Sequence, residues 1–308
     1  MRVIEEDVMK KSKNIGYYYC SLSTFFNIIK NHSVFLSDPL QMNDTDEITW
    51  VCKHMPRSDD ESLKHVKAES EKASKYIHEH GQNNIFIGSY SKGEDILSQW
   101  RGYGNDGRGV SIGFDLHLMC ERNARLTLKD VRYRTSIKKS DMLSWASILH
   151  SAEEMGRSAR HIDNPPTLYA CNEAAVLASA NDNMSDSDPY KPILNRMLPE
   201  LATYKSACFK EEMEMRLIYT EDIRLERLIS RINGDEQKYL DSALYHDFRT
   251  VSADFVTEYV ILPFKADEII SVCTGPKCGW QVDEIKKWLE VFFPGNKIKV
   301  NKSKASYR

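Results

Sequence analysis

Glu212 and Glu214, two residues apart and followed by Arg216, alternate with Met213, Met215 and Leu217. In an extended strand alternate side chains share a face. The pattern therefore predicts one apolar face and one face carrying Glu212, Glu214 and Arg216. Three such charges are costly to bury without partners, so the stretch reads either as a solvated edge or as one wall of a cleft. In a cleft, a carboxylate there can stabilise a developing oxocarbenium centre or hold a ribose hydroxyl.

Three further segments carry candidate chemistry. In Tyr17-Tyr18-Tyr19-Cys20-Ser21 the strand period puts Tyr17 and Tyr19 on one face and Tyr18 on the other. The pair either stacks a planar ligand, with Ser21 at its polar edge, or packs in the core with the hydroxyls at the rim. In Ser98-Gln99-Trp100-Arg101-Gly102-Tyr103-Gly104 an arginine flanked by aromatics can stack a base and clamp a phosphate. The alternative is a tight hairpin between two strands with Trp100 plugging the core. The stretch is neither a Walker loop nor a dinucleotide fingerprint, because no G-K-[ST] and no helix follow the glycines. The acidic run Asn43-Asp44-Thr45-Asp46-Glu47 can cap a helix, orient an arginine or bind a metal, and it lacks the spacing of an EF-hand loop.

Other chemistries lack support. The histidines show no H-E-x-x-H, and no G-x-S-x-G accompanies a serine. Seven scattered cysteines without C-x-x-C argue against a disulfide framework or zinc ribbon and for a reducing cytoplasm. Cys273 to Cys278 reads as a strand-end turn. Lys297, Lys299, Lys302, Lys304 and Arg308 form a strip without acids, suited to phosphate contacts or simply a solvated end. With 42 basic and 45 acidic residues the net charge is −3, which excludes an overall polycation but not a local basic patch. The beginning of the chain carries two acids before any apolar run and is not read as a secretory signal. Stretches such as Tyr259 to Phe264 are too short to span a bilayer.

The elements that must position these residues read as α+β. Strands are expected at Tyr17 to Cys20, Val34 to Leu36, Asn84 to Ser91, Val110 to Phe114, Met213 to Tyr219, Phe255 to Leu262, Ile269 to Val272 and Ile298 to Val300. Helices are expected after Ser21, over 58–80, over Leu225 to Phe248, and over Gln281 to Phe292 with Val282, Ile285, Trp288, Leu289 and Phe292 on one stripe. A chain of 308 residues with 41% apolar and 28% charged content is ordinary globular composition. We read 1–308 as a single catalytic-type domain, with 117–200 a mainly helical insertion.

Taken in order, these segments resemble a widespread bacterial family of uncharacterised proteins. The resemblance rests on Tyr17, Tyr19 and Ser21; on Ser37, Pro39, Asn43, Asp44 and Glu47; and on Trp100, Tyr103 and Gly104. It continues with Gly109, Ile112, Phe114 and Asp115; with Glu212, Glu214, Arg216, Leu217 and Ile218; and with Ser303, Tyr307 and Arg308. A looser resemblance is to ADP-ribosyltransferases, carried by Tyr19-Cys20-Ser21, by Asn27-Ile28-Ile29 in the following helix and by Glu212-Met213-Glu214.

That second resemblance implies split mixed or antiparallel sheets, with NAD in a cleft between two small sheets. It implies Tyr17, Tyr19 and Ser21 on nicotinamide and its ribose, and Trp100, Arg101 and Tyr103 on adenine, phosphate or acceptor. Glu214 would be the catalytic carboxylate and Glu212 would assist the acceptor. It further implies a cytoplasmic toxin or anti-phage effector with a nucleic-acid acceptor (RNA or DNA) and an antitoxin protein as partner. The rival readings are a non-catalytic sensor of a nucleotide or phage protein, and a Mg-dependent nuclease using Asp44, Glu47, Glu212 and Glu214. The segment from Ser303 is expected to fold back, with Tyr307 near the first strand and Arg308 near the carboxylates.

Overall fold

A computed structural model describes residues 14–41, 49–54, 85–138, 198–221, 234–252 and 255–307, with isolated positions between 61 and 71. Asn43, Asp44, Glu47, Arg308 and most of the expected insertion lie outside the described residues. The fold is α+β, built on a mixed ten-stranded sheet and a separate two-stranded one.

Strand β1 (Ile15–Cys20) runs into helix α1 (Leu22–Asn31). The Ser21 hydroxyl accepts the Thr24 amide at 3.1 Å, an N-cap that fixes where the helix begins. Phe25, Ile28 and Ile29 bury one face of it, and β2 (Ser33–Ser37) follows. Next come the short α2 (Trp50–Lys53), β3 (Ile85–Ser91), α3 (Leu97–Gly102), β4 (Val110–Asp115) and α4 (Leu116–Arg122). Strands β5 (Leu126–Asp130) and β6 (Arg132–Arg134) follow, so the described start of the expected insertion is helix α4 and then two strands. β7 (Tyr204–Ser206), a 3-10 turn (Ala207–Glu212) and β8 (Glu214–Thr220) lead to α5 (Glu236–Asp241). The chain closes with β9 (Tyr245–Ser252), β10 (Phe255–Pro263), β11 (Ile269–Thr274), α6 (Val282–Phe292) and β12 (Lys299–Lys302).

Two helical expectations need correction. Tyr245–Ser252, whose first residues fall in the expected helix ending at Phe248, is a strand antiparallel to β10. Its partner strand supplies hydrogen bonds that local propensity does not register. The glycine-rich segment is not a bare hairpin either, because Leu97–Gly102 is helical before the turn. The glycines there serve close approach: a Cβ on Gly109 would stand 2.0 Å from the Cys20 carbonyl oxygen.

The strand order is β12-β11-β4-β1-β3-β2-β10-β9, with β8 pairing both β3 and β5. Every pair in this sheet is antiparallel except β11 with β12. β3 is the branch point. Its whole length pairs with β8, from Ile85↔Thr220 to Ser91↔Glu214. On its other edge β1 meets it only at Tyr17↔Ser91, and β2 only at Ser37↔Ile87. The sheet therefore splits along β3, rather than forming two independent small sheets. The core on its covered face includes Phe25, Leu36, Ile112, Phe114, Leu217, Ile285 and Leu289. The stripe expected on α6 faces this core, with Ile285 and Leu289 buried.

Candidate functional site

The split in the sheet opens into a cavity of about 260 Å³. Its wall includes Tyr17, Tyr19, Ser89, Tyr103, Glu212 and Glu214. Register explains the convergence. Tyr17 lies opposite Ser91, and Ser91 lies opposite Glu214, so the three form one row across β1, β3 and β8. Directly opposed residues present their side chains on the same face of a sheet. Ser89 and Arg216 form the next row, two residues along β3.

Glu212 and Glu214 reach the same place by a different route from the one their spacing suggests. β8 begins at Glu214, and Glu212 is the last residue of the preceding 3-10 turn. Between them Met213 takes a left-handed backbone with φ 48°. For a residue with a Cβ that conformation costs about 1–2 kcal/mol. Met213 is accordingly exposed rather than packed on the apolar face with Met215 and Leu217.

The carboxylates are held by two cations. Arg216, fully buried, donates from Nε to Glu214 Oε1 at 2.8 Å and from Nη2 to Oε2 at 3.2 Å. Its Nη1 donates to the Ala202 carbonyl. Lys205 Nζ bridges Glu212 Oε2 at 2.8 Å and Glu214 Oε2 at 3.2 Å. The Tyr103 hydroxyl donates to Glu212 Oε1 at 2.9 Å, and the Glu214 amide donates to the Tyr133 hydroxyl at 2.7 Å. Ser89 stands close enough to Glu214 to favour its charge, yet its hydroxyl lies outside hydrogen-bond geometry. Burial pushes the Glu214 carboxyl upward, but Arg216 and then Lys205 outweigh it and bring it down to about 2. Glu214 is therefore a buried carboxylate that stays ionised at neutral pH. Burial, then the adjacent Glu212 charge, raise the Tyr103 phenol, so it remains a proton donor.

Tyr19 forms the opposite wall and is held rigidly. Its hydroxyl donates to the Gly93 carbonyl at 2.7 Å and accepts the Ile96 amide at 2.9 Å. Its ring meets Trp100 edge-on at 4.7 Å. Behind Trp100, the Asp95 carboxylate accepts Trp100 Nε1 at 2.7 Å, Ser303 Oγ at 2.6 Å and the Lys304 amide at 2.7 Å. Ala305 packs on the cluster of Tyr19, Trp100 and Cys273. The segment 303–307 is thus docked, as expected of it. Tyr307 donates to Asp106 and stacks under Lys277 Nζ at 3.7 Å.

Residues 99–217 match DUF2971, a family described as protein of unknown function. The DUF2971 stretch contains Trp100-x-x-Tyr103-Gly104 and Glu212-x-Glu214-x-Arg216-Leu217, which fits the family without an assigned activity expected from sequence. It spans Tyr103, Lys205, Glu212, Glu214 and Arg216 of the cavity and its ion pairs, while Tyr17 and Tyr19 precede it. No curated protein and no solved structure matches the chain.

Of the residues singled out in sequence, Tyr17, Tyr19, Tyr103, Glu212 and Glu214 come together. Three do not reach the cavity. Ser21 is spent on the helix cap. Trp100 is fully buried behind Tyr19, where its indole N–H satisfies Asp95. Arg101 turns away and lies 4.9 Å over the Tyr307 ring. Sequence reading missed Lys205 and Phe209. Lys205 sits on β7, which pairs in parallel with β6 through Tyr133↔Lys205. The one sequence signal for it was the need of two adjacent carboxylates for a cation. Among the described residues no helix is long and apolar enough to cross a membrane.

Proposed function

We propose that the chain is an NAD-dependent mono-ADP-ribosyltransferase whose acceptor is a nucleic acid. The observation that carries this reading is the ionised, buried Glu214 facing an aromatic wall across one small cavity. In this reaction the bond from ribose C1′ to the nicotinamide nitrogen breaks, and positive charge develops on the ribose. A preorganised carboxylate stabilises that charge or fixes a ribose hydroxyl. Glu212 and Glu214 supply such oxygens, while Lys205 and Arg216 fix their orientation. Tyr17 and Tyr19 supply flat surface for the ring. A volume of about 260 Å³ is near the lower end of ligand pockets. It suits a ring with its ribose, leaving the remainder of the dinucleotide outside.

The exposed Lys299 and Lys302 of β12, with Lys297 before it and Lys304 after it, support a nucleic-acid acceptor, because a local lysine strip attracts phosphates on a chain of near-zero net charge. The setting of a toxin or anti-phage effector, with an antitoxin partner and a cytoplasmic location, rests on the resemblance to ADP-ribosyltransferases. A non-catalytic nucleotide sensor is the second reading, favoured by the ion pairs that already occupy both carboxylates. A Mg-dependent nuclease is disfavoured by the same pairs, since Lys205 and Arg216 stand where a metal would have to compete.

The deciding experiment incubates the protein with labelled NAD and total RNA, DNA and protein, with and without EDTA. Transfer of label that survives EDTA and drops by about 10²–10³ in Glu214→Gln supports the transferase, provided the variant still melts cooperatively. Binding of NAD without turnover points to the sensor, and EDTA-sensitive cleavage points to the nuclease.

A further inference from the structure

The cavity has a second end, which of the sequence motifs only Ser37 reaches. Along β3 it runs from the Ser91 row, with Tyr17 and Glu214, to the Ile87 row, with Ser37. Four residues of strand make that about 13 Å. At this far end Ser37 and Phe35 line the cavity. Phe35 stacks on Tyr259 at 4.2 Å, and Tyr259 lies opposite Ser37 on β10. Arg249 of β9 reaches over this pair. Its Nη2 donates to Ser37 Oγ at 3.1 Å, and its guanidinium lies 5.8 Å from the Tyr259 ring centre.

Arg249 differs from the other cations around the cavity. Lys205 and Arg216 are bound to carboxylates, and Lys92 pairs with Asp130 at 2.8 Å. Arg249 is exposed and makes no ion pair among the described residues. The nearest acid on its own strand face, Asp247, accepts the Tyr259 hydroxyl at 2.8 Å and the Phe248 amide at 2.8 Å. The two carboxylates and two cations at the opposite end cancel formally. An anionic ligand must therefore find its attraction elsewhere, and a planar guanidinium fork matches phosphoryl oxygens.

We propose that Arg249 is the phosphate-binding residue of this cavity, gripping the phosphoryl group of a nucleotide whose ring and ribose lie against Tyr17, Tyr19 and Glu214. Placing the ring rests on the transferase reading; the phosphate contact is tested separately. Arg249 stands outside the cavity wall itself and is tied to it through Ser37, with the Tyr259 ring beneath the guanidinium. Neither Glu212 nor Glu214 takes part in the phosphate contact.

The test is calorimetric titration of the full chain, Arg249→Gln and Arg249→Lys with three probes: NAD, nicotinamide riboside and inorganic pyrophosphate. Arg249→Gln should weaken NAD and pyrophosphate by about tenfold or more while changing nicotinamide riboside by less than about twofold. Arg249→Lys should fall between, because it keeps the charge and loses the fork. An equal loss on all three probes, or no loss on pyrophosphate, overturns the assignment. If pyrophosphate binds through Arg249 while NAD does not bind, the transferase reading falls and the phosphate site stands. If NAD is bound and cleaved equally well by Arg249→Gln, the phosphate site falls and the transferase reading stands.

Discussion

β8 begins and ends beside an ionic cluster, and the two clusters are built on opposite principles. At its start, Glu214 is buried between Lys205 and Arg216, whose guanidinium stays charged across the physiological range. Just past its end, Glu221 accepts from His246 Nε2 at 2.5 Å, while His246 Nδ1 pairs with Glu258 Oε1 at 2.7 Å. This second cluster is half exposed and depends on a titratable ring. Burial lowers the His246 pKa, but the Glu258 hydrogen bond and the Glu221 charge outweigh it and raise it above 6.5. One strand thus carries a buried cluster in the cavity wall and a proton-dependent, half-exposed one that ties its end to β9 and β10. The difference teaches where charge is structural: only the buried end punishes the loss of a single partner severely.

The largest way to break this contrast is Arg216→Met. It removes the nearer of the two cations from the buried Glu214, and breaking one side of a buried pair costs about 3–5 kcal/mol. Urea denaturation should show that loss. A loss below about 1 kcal/mol would mean that the buried end behaves like a surface pair and that the contrast is not real.

Acid titration sharpens the comparison next, because the two ends have opposite signs. The Glu214 carboxyl is lowered from 4.5 to about 2 when folded. Its contribution is fully present above 4.5 and is lost as the pH falls from there towards 2. The His246 pKa is raised above 6.5 when folded, so its contribution is fully present below 6.5 and is lost as the pH rises through the folded value. A stability profile against pH should therefore fall at both edges, and His246→Gln should remove only the alkaline fall.

Smaller effects follow. Tyr19→Phe deletes a hydroxyl that bridges Gly93 and Ile96, which should cost about 1–2 kcal/mol and loosen the cavity wall. A thermal melt indistinguishable from wild type would show that the hydroxyl does not brace the wall. His246→Gln at neutral pH should cost less than about 1 kcal/mol, as expected for a solvated cluster. Losses of similar size for His246→Gln and Arg216→Met would erase the distinction between the ends of β8.

Much of the site was legible because it is local. Period-2 alternation put Tyr17 with Tyr19, and Met215 with Leu217, on common faces, and the side-chain direction of a strand follows from its pleat. The E-x-E pair was found for a partly mistaken reason. Its convergence comes from the left-handed Met213 and from Lys205, not from the strand period. Trp100 and Arg101 were misplaced because an aromatic–arginine sequence does not say which side of a turn faces a cavity. Here Asp95, close by in the chain, and Tyr307, far along it, capture them.

By itself the sequence determined the α+β class, the main strands of β1, β3, β4 and β8, the cap at Ser21 and the apolar stripe of α6. Each of these is a short-range pattern, decided by side chains within a few residues of one another. Only the tertiary structure decided that β3 would be a branch point touched at single positions by β1 and β2, leaving a cavity between them. Only it brought Lys205 to the carboxylates and Arg249 to Ser37. Strand registers and the contact of Arg249 with Ser37 join residues tens to hundreds of positions apart, and even Lys205, nearer in the chain to its carboxylates, is placed by the pairing of β7 with β6; such pairings are fixed by packing and charge compensation over the whole fold.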